Sequence, residues 1–317
     1  MANVYNSSGE IISSVYDRNG NMLTVCYDSQ GNQLSSHAIT NRVTRSPLLS
    51  PDIPTGTQGF AIDNTTQTIA QLYAGYIYMI DISDGSYTKT NNINLGHGST
   101  GQFAPTKTNE QEYPTLYVCG PVQTVNDNPY LYLLELSCTS TTVQADNVYA
   151  VPAITGQTGT CQTCIDFENN IVYLVSASTY YGTADYMYIS AWDMTEKEVL
   201  DGATYLNKTP YVLTNKLSEF SIPFVPEMQS CTFFDGLVVL LSDRSLAENK
   251  YIEFVDVEFQ DVYLTLTSQM LSGELEGVGF LANSSTGQHD MIVSQRVSGS
   301  NIDGGNYVTE YYRYEFN

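Results

Sequence analysis

Alternating long apolar and polar side chains recur along most of the chain. Five segments that begin with Tyr show this pattern, namely Tyr76–Asp81, Tyr130–Glu135, Tyr186–Ser190, Tyr251–Asp256 and Tyr307–Phe316. A period of two residues is the signature of a β-strand, and Tyr, Val and Ile favour that conformation. The pattern therefore predicts an all-β protein.

Each alternating segment belongs to a longer repeated unit. Thr55-Gly56-Thr57 is followed after four residues by Ile62-Asp63, and Thr158-Gly159-Thr160 is followed in the same way by Ile165-Asp166. Looser copies of this nine-residue frame are Glu227–Asp235, Gly98–Thr106 and Gly273–Leu281. An apolar strand is predicted after each copy, at Thr68–Leu72, Leu116–Cys119, Ile171–Val175, Leu237–Leu241 and Met291–Ser294. A more polar fourth strand is expected between each unit and the next.

Five units of four strands predict a five-bladed β-propeller. The sequence ends on the third strand of the fifth unit, so residues 37–50 are expected to supply the missing fourth strand and cover the exposed edge. A β-sandwich would not repeat one frame five times. A parallel β-helix would have shorter and more regular rungs.

A second, shorter repeat precedes the propeller. The pattern Tyr-Asn/Asp-x-x-Gly begins at Tyr5, Tyr16 and Tyr27, with a period of eleven residues. Asn or Asp followed by Gly supplies the capped turn and the positive φ that a tight hairpin needs. We therefore predict short β-hairpin repeats in residues 1–36, which attach or oligomerise, and a propeller domain over residues 37–317.

The charge balance excludes some classes of partner. The formal net charge is −22, with only 12 Lys and Arg residues, so a nucleic-acid surface or an anionic membrane surface is not expected. Acidic residues keep a Tyr-rich surface soluble; alternatively, acidic loops bind a cation or a neutral glycan. No apolar run is long enough for a membrane span. The N-terminal residues lack the basic and apolar segments of a signal peptide, which favours assembly in the cytoplasm.

The six cysteines do not suggest a disulfide scaffold. Cys161 and Cys164 form a C-x-x-C pair without a second pair or a neighbouring His, which is weak evidence for zinc. Their odd spacing in a predicted strand places the two side chains on opposite faces. We interpret them as buried, reduced thiols, and we assign no metal and no cofactor.

The repeated frame also nominates ligand-binding residues. Its fourth and fifth positions are expected to line the axial channel, where Gln side chains suit sugar hydroxyls. His97 is either a ligand donor at the channel mouth or an ordinary surface residue. Three aspartates end inner strands, and they either cap turns or converge on a ligand. The candidate ligand-binding set is Gln58, Asp63, His97, Gln102, Gln162, Asp166, Gln229, Asp235 and Glu276.

Catalytic motifs are scarce. There are three His residues, and no G-x-S-x-G, H-E-x-x-H or P-loop motif occurs. No residue is assigned a catalytic role on these grounds. Glycoside hydrolysis stays an alternative because it needs only two carboxylates near the axis. Asp63, Asp166 and Glu276 are the residues to test for that alternative.

The chain resembles phage and prophage tail proteins at two places. The repeats at Tyr16 and Tyr27 resemble those at the start of tail-fibre and receptor-binding proteins. The stretch from Asn94 to Gly98 resembles five-bladed propellers of tail-associated proteins, including some labelled teichoic-acid-related. Ser99 and Thr100 follow Gly98 where those propellers carry Asn-Asp.

The resemblance implies a structural or receptor-binding role in a virion tail. The implied partners are other tail proteins, a glycan or protein of the bacterial surface, and copies of the chain in a homo-oligomer such as a trimer.

Overall fold

The chain folds almost entirely into β-strands. The computed structural model describes residues 43–51, 53, 58–107, 111–180, 184–243, 251–267, 274–298 and 307–316, together with four short strands nearer the N-terminus. Every regular element of these residues is a β-strand, which confirms the predicted class. In this part of the chain, no helix is long and apolar enough to cross a bilayer.

The N-terminal repeats contain two paired hairpins. Strand β1 (Val15–Tyr16) pairs with β2 (Met22–Leu23), and β3 (Val25–Tyr27) pairs with β4 (Gln33–Ser35). Residues 17–21 and 28–32, which separate the strands of each pair in sequence, contain the Gly of one eleven-residue repeat each. The copy that begins at Tyr5 lies outside the described residues, and the boundary after residue 36 stays a prediction.

Five sheets form the blades of the predicted propeller. Strand β5 (Val43–Leu49) comes first in the chain and belongs to the last blade. Blade 1 contains β6 (Phe60–Asp63), β7 (Thr68–Tyr73), β8 (Tyr76–Asp81) and β9 (Tyr87–Lys89). Blade 2 contains β10 (Gly101–Phe103), β11 (Leu116–Val125), β12 (Asn128–Cys138) and β13 (Val143–Pro152).

The remaining blades follow the same order of strands. Blade 3 contains β14 (Thr160–Asp166), β15 (Ile171–Ala177), β16 (Tyr186–Asp193) and, after an inserted hairpin of β17 (Lys197–Val199) and β18 (Tyr211–Leu213), β19 (Lys216–Pro223). Blade 4 contains β20 (Met228–Phe234), β21 (Leu237–Ser242), β22 (Tyr251–Asp256) and β23 (Asp261–Thr267). Blade 5 contains β24 (Glu274–Asn283), β25 (Gln288–Ser298), β26 (Tyr307–Phe316) and β5.

The hydrophobic core is divided among the five interfaces between blades. Alternate residues of one strand belong to different clusters. In β8, Ile77 and Met79 pack toward blade 2, whereas Tyr78 and Ile80 pack toward blade 5. A strand that is buried on both faces needs apolar side chains at consecutive positions, because successive residues point to opposite faces. This need explains why the third strands carry long apolar residues at consecutive positions.

Strand β5 closes the ring by pairing antiparallel with β26. Blade 5 also packs against blade 1, because Tyr311 of β26 lies edge-on to Phe60 of β6, with ring centroids 5.5 Å apart. The Tyr311 hydroxyl donates to Oε1 of Gln71, and both of these side chains are fully buried. Gln71 Nε2 donates to the carbonyls of Gln58, Gly59 and Leu72 at 2.9–3.1 Å. A buried polar side chain is stable here because its donors and acceptors are paired.

The inserted hairpin enlarges blade 2 rather than blade 3. Strand β18 pairs in parallel with β13, so this sheet has six strands. From the same insertion, the Tyr205 hydroxyl donates to the Asn94 carbonyl at 2.9 Å, and its ring lies 5.3 Å from that of Tyr132. A segment of blade 3 therefore covers the outer edge of blade 2.

Candidate functional site

The propeller axis has two ends with different linings. We call the end where the inner strands β6, β10, β14, β20 and β24 begin the N-mouth, and the end where they finish the C-mouth. The N-mouth holds a cavity of about 570 Å³ and the C-mouth one of about 360 Å³. The two cavities share no lining residue. Two separate cavities therefore lie along the axis, one at each mouth.

The N-mouth cavity is lined by polar and apolar groups in similar measure. Glu274 and Glu276 of blade 5 and Arg296 of the adjacent strand supply its charged groups. Two rings, Tyr73 and Tyr180, also reach it. The uncharged polar side chains come from the other four blades and their connecting segments, and they are Gln58, His97, Ser99, Thr158, Thr160, Gln162 and Gln229.

One arginine is shared by two carboxylates in this cavity. Arg296 Nη1 lies 3.4 Å from Glu274 Oε2 and 3.8 Å from Glu276 Oε1. Glu276 is only 6% exposed, whereas Glu274 and Arg296 are partly exposed. Burial raises the effective strength of such charges because water screens them less.

His97 sits at the rim and is held by Gln58. Gln58 Nε2 lies 3.2 Å from His97 Nδ1. The desolvation of the ring lowers the pKa of His97 below its ordinary value, so the neutral form prevails at pH 7. An amide nitrogen can only donate, so Nδ1 accepts and the ring proton resides on Nε2. His97 therefore offers one N–H donor to its surroundings.

A layer of hydrogen-bonded side chains lies between the two cavities. The hydroxyls of Ser99 and Thr100 lie 3.0 and 2.8 Å from Gln162 Oε1, and Gln162 Nε2 lies 2.6 Å from Ser99 Oγ. Thr100 Oγ1 also accepts from the Cys231 amide at 3.3 Å and lies 3.5 Å from Ser230 Oγ. Residues of blades 2, 3 and 4 thus meet on the axis and form the floor of the N-mouth cavity.

Glycines allow the inner strands to approach this closely. A Cβ placed on Gly59 would lie 2.1 Å from the Ser99 carbonyl oxygen, and one on Gly277 would lie 2.5 Å from the Phe60 ring. Both distances are shorter than any van der Waals contact, so no other residue fits at either position without a shift of its surroundings.

One polar group of the N-mouth has no protein partner. Thr160 is 5% exposed, and its Oγ1 makes no hydrogen bond with any described residue. Thr160 lines the cavity, where Gln162 two residues later contributes to the floor. A buried hydroxyl without a partner costs free energy, so such groups commonly mark a place for water or a ligand.

The aspartates at the C-mouth serve their own turns. Asp63 accepts from the Thr65 amide at 2.8 Å and from the Thr66 hydroxyl at 2.5 Å. Asp166 accepts from the amides of Glu168 and Asn169 at 3.0 and 3.1 Å. These contacts match the turn-capping alternative of the sequence analysis, because both carboxylates compensate backbone donors of the loop that follows.

The third aspartate does not occupy the equivalent position. Asp235 and Gly236 form the turn after β20, both with positive φ (49° and 79°), as a two-residue hairpin turn requires. Asp235 is exposed. In blade 5 the equivalent capping residue is Asn283, whose Oδ1 accepts from the amide and hydroxyl of Ser285. The shorter turn of blade 4 breaks the spacing that suggested three matching aspartates.

Two amide side chains at the C-mouth join neighbouring blades. Gln102 Oε1 accepts from the Ile165 amide at 2.6 Å, and its Nε2 donates to the Ile165 carbonyl at 3.3 Å. Asn64 likewise accepts from the Ala282 amide at 2.7 Å and donates to the Phe280 carbonyl at 3.2 Å. Each side chain bonds to the backbone of the adjacent blade through both its oxygen and its nitrogen, so these amides connect neighbouring blades.

The predicted ligand-binding residues are thus distributed over both ends of the axis. Those that line the N-mouth cavity are Gln58, His97, Gln162, Gln229 and Glu276. Those that line the C-mouth cavity are Asp63, Gln102, Asp166 and Asp235. The frame defines positions along a strand and not which end of the axis a residue reaches. Ligand binding by any of them stays a prediction.

Sequence reasoning missed three N-mouth residues that carry its chemistry: Thr160, Glu274 and Arg296. Thr160 is part of the T-G-T frame, so its position was visible even though its unpaired hydroxyl was not. Glu274 lies two residues before Glu276, but the pairing of β24 with β25 is irregular between Leu275 and Gly277, so the alternation of a regular strand could not place both carboxylates beside Arg296 in advance. No sequence signal points to Arg296, because β25 brings it beside the glutamates only through pairing with β24.

The cysteines behave as predicted for opposite faces of a strand. Cys161 packs in the core between blades 2 and 3, and Cys164 in the core between blades 3 and 4. Both are free thiols. Burial raises the pKa of Cys161 to about 12, so this thiol is protonated and unreactive at neutral pH. Among the residues that the structure describes, no group of three or more His, Cys, Asp or Glu side chains could hold a metal ion.

Comparisons with known proteins show the fold. No protein-family profile matches the chain, and no curated protein matches it in sequence. The tail fibre of Staphylococcus aureus phage P68 superposes with a TM-score of 0.55 at 13% identity, over 87% of this chain and 53% of that chain. A luciferin-regenerating enzyme gives a TM-score of 0.46 at 10% identity, over 86% and 95% of the two chains. The chain thus spans about half the length of the phage tail fibre with which it shares a fold.

Proposed function

We propose that the chain is a tail-associated protein of a phage or prophage, and that its N-mouth cavity binds a glycan or protein of the bacterial surface. The cavity carries this proposal, because all five blades contribute to it and it contains a buried hydroxyl that makes no hydrogen bond with any described residue. The shared fold with a phage tail fibre supports the setting. Such concave, rigid sites with few convergent polar groups are typical of ligand binding.

The lining suits a hydroxyl-rich ligand. Gln58, Gln229 and the His97 ring provide both donors and acceptors, and Tyr73 and Tyr180 provide aromatic surface. Sugars present hydroxyls around an apolar ring, so they use both kinds of group. A glycan is therefore the first ligand to test, and a surface protein is the second.

The path of the chain supports different places for the proposed binding site and the proposed attachment segment. Val43 pairs with Phe316, and this end of blade 5 is on the C-mouth side, where β24 ends. The beginning of β5 therefore lies on the side of the propeller opposite the N-mouth cavity. We propose that the repeats contact other tail proteins or a second copy of the chain, in a trimer for example, while the N-mouth faces the cell.

Labelling of particles tests the setting. An antibody against the purified chain is applied to virions released from the host and visualised by immunogold electron microscopy. We expect gold at the tail, after assembly in the host cytoplasm. Detection of the chain in the lysate together with unlabelled tails would contradict a virion location.

Binding to intact host cells tests the cavity. Fluorescently labelled protein should bind cells, and Gln229→Ala at the N-mouth should weaken this binding. Glu168→Ala is the matched control, because Glu168 is exposed and lines the C-mouth cavity. Equal binding by wild type and both variants would show that the ligand is not held at the N-mouth.

The same material tests the enzymatic alternative. Two of the carboxylates named for glycoside hydrolysis, Asp63 and Asp166, lie at the opposite end from Glu276 and hold turns. Glu274 is the carboxylate that accompanies Glu276 on the cavity wall. Release of reducing sugar from host glycans, abolished by Glu276→Gln, would favour the enzyme.

A further inference from the structure

His97 belongs to a connecting segment whose backbone is held on both sides. Its two neighbours, Gly96 and Gly98, both have positive φ (65° and 66°), which other residues rarely adopt. The Gly98 carbonyl accepts from the Gly59 amide at 3.2 Å, and a Cβ on Gly96 would lie 2.9 Å from the nitrogen of Pro121. The position of His97 at the rim is therefore fixed by close contacts of its neighbours with blades 1 and 2.

A chain of hydrogen bonds connects the His97 ring with the core. The Tyr311 hydroxyl donates to Gln71 Oε1, and Gln71 Nε2 donates to the Gln58 carbonyl at 3.0 Å. The Gln58 amide donates to the Leu72 carbonyl at 3.1 Å, so both backbone groups of Gln58 are held. Gln58 Nε2 in turn lies 3.2 Å from His97 Nδ1. Gln58 thus connects the buried side chains with the ring at the rim.

This contact leaves one ring nitrogen available to a ligand. Because Gln58 donates to Nδ1, the proton of the neutral ring is on Nε2. Nε2 makes no hydrogen bond with any described residue, and His97 lines the N-mouth cavity. Binding sites fix the orientation of a ligand with a few polar groups that are held in place. An N–H group held in this way suits an acceptor oxygen.

We infer that His97 is a specificity-determining residue of the N-mouth, which donates from Nε2 to a hydroxyl or carbonyl oxygen of the glycan, and that Gln58 is the positioning residue that holds the ring in this tautomer. The inference rests on the proposed binding function and deepens it. A ligand group that offers only N–H donors at this place is rejected, because two donors would face each other.

The tautomer of His97 can be measured directly by long-range proton–nitrogen NMR correlation on the full, isotope-labelled chain. The chain has three His residues, so substitution assigns their signals. At pH 8 we expect a protonated Nε2 and an unprotonated Nδ1 in the wild type. Gln58→Glu should reverse this pattern, because a carboxylate only accepts and therefore favours the proton on Nδ1. The opposite tautomer in the wild type, or no change in the variant, would overturn the positioning role of Gln58.

Binding of labelled protein to intact host cells at pH 8 and pH 5.5 tests the donor. In the wild type Nε2 carries a proton in the neutral ring and in the imidazolium, so this contact is the same at both pH values. In Gln58→Glu the carboxylate raises the pKa of His97, so the ring carries both protons at pH 5.5 and Nε2 is an acceptor at pH 8. We expect this variant to bind about tenfold more weakly at pH 8 than at pH 5.5. The same ratio of affinities in the wild type and in Gln58→Glu would overturn the inference.

Thr158→Glu is the matched control. It places the same charge at an exposed position of the same cavity, and Thr158 makes no hydrogen bond with His97. Its ratio of affinities at the two pH values should equal that of the wild type. Comparison of ratios removes the titration of the ligand and of the other ionisable side chains in the described lining, which are Glu274, Glu276, Arg296, two tyrosines and two cysteines. A ratio in Thr158→Glu as large as that in Gln58→Glu would overturn the inference.

One further substitution separates this inference from the proposed function. His97→Phe keeps an aromatic ring and removes both nitrogens, so binding to host cells should weaken about tenfold at either pH, in a variant that urea denaturation shows to be folded. Wild-type binding by His97→Phe, together with weakened binding by Gln229→Ala, would overturn the inference and leave the binding role of the cavity intact. No binding by the wild type would contradict the proposed function and the ligand contact of His97, while the NMR result would still decide whether Gln58 sets the tautomer.

Discussion

The two mouths of the propeller contain similar residue types that behave differently. At the C-mouth, Asp63 and Asp166 accept from backbone amides of the next loop, and Gln102 pairs with both backbone groups of Ile165. At the N-mouth, two glutamates share one arginine and Thr160 Oγ1 has no partner among the described residues. One end uses its polar groups for its own structure, and the other leaves the Thr160 hydroxyl without a hydrogen bond among the described residues.

The difference follows from the connections at each end. In blades 1 and 3, short loops at the C-mouth present free amides directly after the inner strands, and the carboxylates of Asp63 and Asp166 accept from them. At the N-mouth the inner strands begin, and the long segment from Thr90 to Thr100 crosses between blades. The type of a polar residue therefore predicts its role less well than the backbone groups that lie within hydrogen-bonding distance of it.

The largest expected effect on stability concerns Gln71, which bonds to the backbone of Gln58 and Gly59 next to the N-mouth. Gln71→Ala removes the amide that binds three carbonyls and accepts from Tyr311. It leaves a buried hydroxyl unpaired and a small cavity, so the free energy of unfolding should fall by about 3 kcal/mol. Urea denaturation measures this change. Tyr311→Phe, which removes only the hydroxyl, should cost less, and an equal cost would show that the hydroxyl dominates.

A carboxylate that lines neither mouth supplies a reference for burial without a partner. Burial raises the pKa of Glu253 from its ordinary value of 4.5 to about 7, and its Oε2 is buried without a hydrogen bond. Because the folded pKa is raised, the contribution to stability is complete below pH 4.5 and is lost as pH rises toward 7. Glu253→Gln should therefore stabilise the protein at pH 8, by on the order of 2 kcal/mol, and not at pH 4. Thermal unfolding at both pH values measures this, and equal shifts would contradict the burial of the charge.

An intermediate effect distinguishes the C-mouth from a binding site. Asp166→Ala removes the acceptor of two backbone amides and should lower the free energy of unfolding by about 1–2 kcal/mol. Binding to host cells should stay unchanged once the protein is folded. Asp166→Asn, which keeps one acceptor oxygen, should lose less stability. Loss of cell binding in a folded Asp166→Asn variant would show that the C-mouth takes part in recognition.

The converse is expected at the N-mouth. Thr160→Val replaces an unpaired hydroxyl by a methyl group of similar size, so the free energy of unfolding should change by less than about 1 kcal/mol or increase. Affinity for the cell-surface ligand should nevertheless fall. Parallel denaturation and cell-binding measurements test both halves. A clear loss of stability without loss of binding would assign Thr160 to the protein's own structure.

The smallest effect is expected at the rim. The pKa of His97 is lowered by desolvation, so the folded state prefers the neutral ring. Its contribution to stability is complete above the ordinary pKa of about 6.5 and declines as pH falls through that value. We expect a decrease of less than about 1 kcal/mol, because His97 lies at the rim, where solvent screens its charge. The Glu253→Gln background removes the opposite trend, and His97→Gln in that background should abolish the remaining slope between pH 7 and 5.

The alternating Tyr-rich segments and the repeated frame were sufficient to predict the blades. The third strands begin at Tyr76, Tyr186, Tyr251 and Tyr307 as expected, and blade 2 differs only in beginning two residues earlier, at Asn128. The inserted hairpin was not predicted. Its short strands pair with β13 of another blade, and no local pattern encodes such a partner.

The candidate site was predicted less completely. Gln58, Gln162 and Glu276 were nominated from the frame and do meet at one cavity, but Gln102 belongs to the other. Gln102 and Gln162 share the fifth position of the frame. They reach different ends because Gln162 stands level with Ser99 and Thr100, just before β10, whereas Gln102 stands level with Ile165, near the end of β14. Arg296 was not recognisable, since its role depends on β24 and β25 lying side by side.

By itself, the sequence determined the strand class, the five repeated sheets and the turns between strands, because these depend on residues close together in the chain. Only the tertiary structure decided which polar groups remain available. Whether Asp166 or Glu276 can meet a ligand depends on the backbone donors and cations that other strands bring within hydrogen-bonding distance, and local sequence does not specify those distances.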